Sequence, residues 1–171
     1  IVEWVLGLSL NKNSIIFEVG TGSGCIAISI SLKNNELKIL AGDLSESALE
    51  VARINRKLLN AYNVTYVQSN WLACSSESSL DLVISNPPYL KPNDAHLEDL
   101  QNEPLVALIS ENGSQGFHDI AIQAMFSLKP GGKIIFEHGY SQAIEVSNIL
   151  KDYGFKNVVS KKDFQGLDRY T

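Results

Sequence analysis

The sequence predicts an α/β domain built on a mainly parallel sheet with helices on both faces. Three observations predict it. Short β-branched, apolar runs alternate with longer helical stretches from end to end. Most connections between them are short, so each strand–helix–strand unit returns to the same sheet in the same direction. The first run also stops at a glycine-rich turn that opens a helix, Gly20-Thr21-Gly22-Ser23-Gly24.

Ser14 to Val19 reads as the first strand, and Ser23 to Leu32 as a helix closed by Lys33-Asn34-Asn35. Lys38 to Gly42 is the second strand, ending at Asp43. Ser45 then offers an N-cap, with Glu46 in the positive first turn and Arg56 and Lys57 near the negative end. Ala48, Ala52 and Leu59 form that helix's apolar stripe, flanked by Leu49 and Val51. Thr65 to Ser69 and Leu80 to Ser85 are the third and fourth strands. Leu90 to Ser114 is irregular, punctuated by Pro92, Pro104 and Gly113, and loops of that length often carry function. His118 to Leu128 is a helix broken by a Lys129-Pro130-Gly131-Gly132 turn before a fifth strand, Lys133 to Glu137. Ser141 to Tyr153 is a helix ending before Gly154, and Phe155 to Lys161 a sixth strand. A seventh strand starts at Arg169-Tyr170-Thr171, where the chain stops. With no internal repeat or linker, residues 1–171 read as one domain.

A net charge of −5, with both signs interspersed, argues against a surface that grips nucleic acid. Cys25 and Cys74 lie outside any CxxC spacing and read as small buried hydrophobes in a reducing compartment. His96, His118 and His138 show no ligand spacing, so no metal is assigned. No apolar run approaches the ~20 residues of a membrane span. Ile1 to Leu10 lacks a basic leader and a cleavage site. A cytoplasmic protein is the expectation.

Glycines at 20, 22 and 24 let the backbone turn tightly and approach a ligand. Their spacing discriminates. A dinucleotide fingerprint, G-x-G-x-x-G, would put the third glycine at position 25, which is Cys25. The GK[ST] of a phosphate-binding loop is also absent. Asp43, at the end of the second strand, can accept from both ribose hydroxyls of a nucleoside. It could equally be a helix-initiating turn residue. Glu18 could face a ligand's ammonium or be a strand-end carboxylate.

Asn86-Pro87-Pro88-Tyr89 leaves the carboxyl end of the fourth strand, where open α/β sheets bind ligands. The prolines cannot continue a ladder and have fixed φ, so they make a stiff turn. Such a turn suits methyl transfer to a planar, conjugated nitrogen, whose lone pair is tied up in resonance. The Asn86 side-chain oxygen and the Pro87 carbonyl can accept its N–H groups, orient it and stabilise the charge that develops. Tyr89 offers a flat face for stacking.

On these residues the chain resembles the HemK/PrmC-type protein-(glutamine-N5) methyltransferases, release-factor branch. The likeness runs through Glu18 to Gly24, Asp43-Leu44-Ser45, Asp81 to Tyr89, Glu103-Pro104, Leu128 to Gly132, Glu137 to Tyr140 and Lys162 to Arg169. It implies a class I S-adenosylmethionine-dependent methyltransferase fold, Rossmann-like, with a mainly parallel seven-stranded sheet whose last strand is cut short. It also implies methyl transfer from S-adenosyl-L-methionine to the glutamine amide of a Gly-Gly-Gln motif in a peptide chain release factor, a step in translation termination. By that resemblance Glu18, Gly20, Thr21, Gly22, Ser23, Gly24, Asp43, Trp71 and Asn86 hold the cofactor. Asn86, Pro87, Pro88 and Tyr89 hold the glutamine amide, with Asn86, Pro87 and Tyr89 carrying the catalysis. The family's usual Asp before that Trp is Asn70 here, its usual Asp-Gly in the long loop is Gln115-Gly116, and Glu137-His138-Gly139 stands for a commoner Glu-Ile-Gly, with His138 read as structural. The small helical N-terminal domain of the family is not in the sequence. The expected assembly is a monomer, with no direct contact to nucleic acid or membrane.

The Asn-Pro-Pro-Tyr tetrapeptide is shared with other amino-methyltransferases. A ribosomal-protein glutamine methyltransferase and an N6-adenine methyltransferase acting on a flipped base therefore stand as alternatives. The acidic balance and the absence of a recognition insert favour glutamine.

Overall fold

The computed structural model describes residues 1–92, 108–110 and 112–171. The sequence-predicted features at His96 and Glu103-Pro104 lie outside the described residues. The chain divides into two units, Ile1–Ser85 with Gln123–Ile135, and Asn86–Ile122 with Phe136–Thr171.

In the first unit a short helix α1 (Val2–Leu6) precedes β1 (Ile15–Val19), α2 (Cys25–Lys33), β2 (Lys38–Asp43), α3 (Glu46–Leu59), β3 (Val64–Gln68) and β4 (Leu80–Ser85). Helix α4 (Gln115–Ser127) leads into β5 (Leu128–Phe136). The five strands form one sheet in the order β3-β2-β1-β4-β5. β1 pairs in parallel with β2 and with β4, and β2 with β3. β1 and β4, inside the sheet, are largely apolar and buried on both faces, whereas the edge strand β3 is only partly buried. Ile16, Ile39, Leu82 and Ile84 pack with Ala27, Ile28 and Ile30 of α2 and with Val5 of α1. Each such side chain contributes roughly 1.5–3 kcal/mol on full burial. Alternation turns Phe17 to the other face. There its ring fills the space beside Gly42, where a Cβ would lie only 2.9 Å from it. Asp81 ties three strands, accepting from the Ile15 amide and from Lys129 Nζ, both at 2.7 Å.

α3 forms where its caps predict. Ser45 Oγ accepts from the Ala48 amide at 3.3 Å, and Asn60 closes the helix at φ 57°. Its buried face is Leu49 and Ala52; Leu59 and Val51, placed on or beside the stripe by sequence, are exposed.

The second unit holds α5 (Ala143–Asp152), β6 (Lys161–Lys162) and β7 (Asp168–Tyr170). β6 and β7 are an antiparallel pair. Asp163 shapes their turn, its Oδ1 accepting from the Gln165 and Leu167 amides at 2.9 and 3.1 Å. β7 also runs antiparallel to the chain after β5: Phe136 and Thr171 exchange backbone bonds of 2.7 and 2.9 Å, and the His138 amide donates to Arg169 at 2.9 Å. Phe117 and Phe136 pack edge to face, with ring centroids 5.2 Å apart.

The α/β class and the mainly parallel sheet are as the sequence predicts. Four details differ. Among the described residues the strands divide into a sheet of five and a pair. Phe155 to Ser160 is not a strand: Asn157 sits at φ 57°, which interrupts an extended run, and Val159 is exposed. The predicted turn at Lys129 to Gly132 lies inside β5, with Gly131 at φ 81° supplying the left-handed residue a turn would have needed. Cys25 and Cys74 are exposed free thiols rather than buried ones. Cys25 opens α2, whose inward positions go to Ala27 and Ile28.

Candidate active site

The strand order reverses between β1 and β4, which are hydrogen-bonded neighbours. Such a switch point is where open α/β sheets bind ligands, beyond the carboxyl ends of the strands. β1 ends there in the glycine loop. β4 ends there in Ser85, whose Oγ donates to the Val19 carbonyl at 2.9 Å. Asn86 is the next residue along the chain.

Gly20, Gly22 and Gly24 take φ of 71°, 55° and 83°. All three occupy the left-handed region, where an L side chain costs roughly 1–2 kcal/mol. A Cβ on Gly20 or Gly22 would meet nothing within 4 Å, so the loop presents bare backbone to open space. Gly24 is different: a Cβ there would press on the Tyr66 hydroxyl. That hydroxyl is buried and has no hydrogen-bond partner among the described residues. Burial first, and the nearby Glu18 second, push its pKa to about 12.

Four attachments hold the loop. The Gly20 and Thr21 amides donate to the Gly42 carbonyl, each at 2.9 Å. The Gly22 amide donates to Asp43 Oδ2 at 2.8 Å. Glu18 Oε2 accepts from Thr21 Oγ1 at 2.6 Å and from the Ala27 amide at 3.0 Å, which joins β1 to the first turn of α2. The Ser23 carbonyl accepts from the Asn55 side chain at 3.0 Å. Glu18 is only 2 % exposed, and burial raises its carboxyl to about 7 against those two hydrogen bonds.

Asp43 takes the helix-initiating role and also ties down the glycine loop. Oδ1 accepts from the Ser45 amide at 2.9 Å, starting α3, while Oδ2 takes Gly22. A carboxylate has about four lone-pair sites, so two remain for ligand hydroxyls. The Asp43 carbonyl accepts from the Ser69 amide at 3.0 Å, which brings the start of the Asn70-Trp71 segment beside it. Trp71 is held at φ 51°, a conformation costly for a bulky residue. The next amide, Leu72, is fixed by Gln123 Oε1 at 2.8 Å.

In the second unit Asn86 is exposed, Pro87 buried, and Pro88 and Tyr89 half-buried. The chain after Tyr89 is tied down: Leu90 donates to Leu108 and accepts from Ser110, both at 2.9 Å. Tyr89 lies against two glycines. A Cβ on Gly139 would sit 3.6 Å from Tyr89 Cδ2, and one on Gly113 3.3 Å from the Tyr89 carbonyl. His138 is fully buried between the Gly139 carbonyl on Nδ1 and Thr171 Oγ1 on Nε2, both at 2.9 Å. Desolvation lowers its pKa, and the carbonyl partner requires the proton on Nδ1. Among the described residues no cluster of His, Cys, Asp or Glu could hold a metal.

Sequence reasoning did not single out Tyr66 or Gln142: neither sits in a motif, Tyr66 lies against Gly24 far earlier in the chain, and Gln142 reaches back to Gly113 as well as to nearby Gly139.

A parallel α/β sheet with a left-handed glycine loop at its switch point defines a Rossmann-like domain. The chain belongs to the methyltransferase small domain family, which matches residues 5–115. It is 37% identical, over 100% of its length, to a release factor glutamine methyltransferase of Shewanella oneidensis, and covers 61% of that protein. It is 35% identical over 99% of its length to the Vibrio cholerae protein of the same name, and covers 62% of it. The chain thus spans about three fifths of the curated relatives it matches. A solved ribosomal protein L11 methylase from Lactobacillus delbrueckii subsp. bulgaricus shares the fold, with a TM-score of 0.69 and 18% identity over 99% of this chain and 74% of that one. The fold is that of the class I S-adenosylmethionine-dependent methyltransferases. Among the described residues no helix is long and apolar enough to cross a membrane.

Proposed function

We propose that this chain carries the methyl-transfer chemistry of a cytoplasmic enzyme that methylates the side-chain amide of a glutamine in a peptide chain release factor. The observation that carries the reading is the exposed Asn86 on a turn stiffened by two prolines, one residue beyond the Ser85 end of β4. Support for the release factor as substrate comes from the names of the relatives above.

The cradle fits S-adenosylmethionine. Bare, left-handed backbone at Gly20 and Gly22 leaves room for a methionine moiety, with Thr21, Ser23 and Gly24 completing the wrap. Asp43 has acceptor capacity for the ribose hydroxyls, and Trp71 supplies an apolar face for the adenine. Glu18 shapes the loop, and an ammonium bound beside it would favour its ionised form. When bound, the cofactor supplies a methyl group made electrophilic by its sulfonium.

The chain's own residues do the rest. An amide nitrogen is a poor nucleophile because its lone pair is delocalised. Asn86 Oδ1 and the Pro87 carbonyl accept its two N–H groups, fixing the lone pair's direction and stabilising the positive charge that grows on nitrogen. The prolines keep those acceptors within the tolerance such chemistry needs. Tyr89 and Pro88 bracket the planar amide.

Incubating the protein with methyl-tritiated S-adenosylmethionine, a release factor and bulk nucleic acid tests the assignment. The expected result is label in the release factor alone. Label in nucleic acid with none in the release factor would overturn it. Calorimetry should show S-adenosylmethionine binding more tightly than NAD, and the reverse order would overturn the reading of the glycine loop.

A further inference from the structure

We propose that Gln142 is a positioning residue for Tyr89, acting as a clamp on the two glycine segments that flank it. Gln142 immediately precedes α5, yet its side chain does not cap that helix. Oε1 instead accepts from the Gly139 amide, and Nε2 donates to the Gly113 carbonyl, each at 3.0 Å. Its own amide donates back to the Gly139 carbonyl at 2.9 Å. One half-buried amide side chain thus spends both its acceptor and a donor on two segments that are far apart in sequence.

Those two segments are the ones against Tyr89. Gly139 borders the ring at Cδ2, and Gly113 borders the Tyr89 carbonyl. Gly113 is also joined to the tyrosine's neighbour, because its amide donates to Ser110 and the Ser110 amide donates to Leu90. Gln142 therefore fixes the ring from one side and the backbone from the other. The role needs both ends of an amide of this length. A carboxylate would keep the Gly139 bond and lose the donor to Gly113, and Asn is one methylene too short to span the pair. Gly139 serves the same arrangement, since a Cβ there would press to 3.0 Å on Gln142 Oε1.

The inference rests on Tyr89 stacking on the substrate amide, as proposed above. Its test uses the protein, S-adenosylmethionine and a release factor with a Gly-Gly-Gln motif. Gln142→Met, similar in shape but unable to make either bond, should raise KM for the release factor or lower kcat by roughly tenfold or more, as loss of two hydrogen bonds implies. Its Kd for S-adenosylmethionine should stay within about twofold of the parent's, less than the effect of one typical hydrogen bond. Gln142→Glu should recover part of the loss. In a Tyr89→Ala background, Gln142→Met should add little, because the group it positions is gone.

Should Gln142→Met lose cofactor binding, Gln142→Glu carries the same comparison. Full additivity of the Gln142 and Tyr89 substitutions would overturn the clamp, as would a parent-like KM and kcat in Gln142→Met while Tyr89→Ala is impaired. Undiminished methylation by Tyr89→Ala would overturn the stacking role itself, and the clamp's purpose with it.

Discussion

The backbone amide of Gly22 donates to Asp43 Oδ2 at 2.8 Å, joining the middle of the glycine loop to the end of β2. One carboxylate therefore shapes the loop and starts α3 through Ser45, and in the proposed function its remaining lone pairs take the ribose hydroxyls. Asp43→Ala removes all three. S-adenosylmethionine affinity should fall at least about a hundredfold, the effect of losing two hydrogen bonds to a charged acceptor. Calorimetry measures it, and an unchanged Kd would remove Asp43 from the cradle.

Glu18 makes stability depend on pH in an unusual direction for a carboxylate. Burial raises it from 4.5 to about 7 in the folded chain. Its contribution is thus fully present below about 4.5 and is lost as pH rises through 7, because the unfolded chain gives up the proton first. At about 1.4 kcal/mol per pH unit, the loss reaches about 3 kcal/mol above pH 7. Glu18→Gln preserves the acceptor for Thr21 and Ala27 and does not titrate. In urea unfolding without cofactor, the variant should match the parent at low pH and exceed it at pH 8. Parallel pH profiles would refute the buried, neutral carboxyl.

Gly24 and Tyr66 are coupled by contact. Gly24→Ala meets strain at φ 83° and drives a Cβ against the Tyr66 hydroxyl. It should destabilise the chain by at least about 1–2 kcal/mol, the cost of the left-handed backbone alone. Tyr66→Phe deletes a buried, unpartnered hydroxyl and should be neutral or stabilising. The double variant should be more stable than the sum of the two changes. Strict additivity in denaturant midpoints would show that the hydroxyl does not press on residue 24.

Asn86 carries the acceptor on which the proposed chemistry depends. Asn86→Ala should reduce turnover on the order of a thousandfold, as loss of one preorganised polar contact does elsewhere. Because Asn86 is exposed, the melting temperature should hardly move. Turnover within tenfold of the parent would refute the role.

The sequence makes the glycine loop legible because glycine takes positive φ without the cost a side chain meets, and the strand-end positions of Asp43 and Asn86 are legible from the apolar runs that precede them. Ser45 is legible because capping is local chemistry. What escapes is whatever depends on distant partners. The pairing of β1 with β4, which creates the switch point, joins segments some sixty residues apart. Gln142 looks like an ordinary residue at a helix start, and its two bonds exist only once Gly113 and Gly139 are brought to it. Asn157 carries no sequence signal against a sixth strand, yet its left-handed φ ends one. Leu59 fits a helical stripe by spacing and still faces solvent, because Leu49 and Ala52 supply the buried face of α3.

The central claim is that the acceptor is a glutamine amide. The most direct measurement is mass spectrometry of a release factor incubated with the protein and S-adenosylmethionine. A single added methyl group on the glutamine of the Gly-Gly-Gln motif, absent with Asn86→Ala, is the predicted result. A release factor left unmodified, or methylated at any other residue, would contradict it.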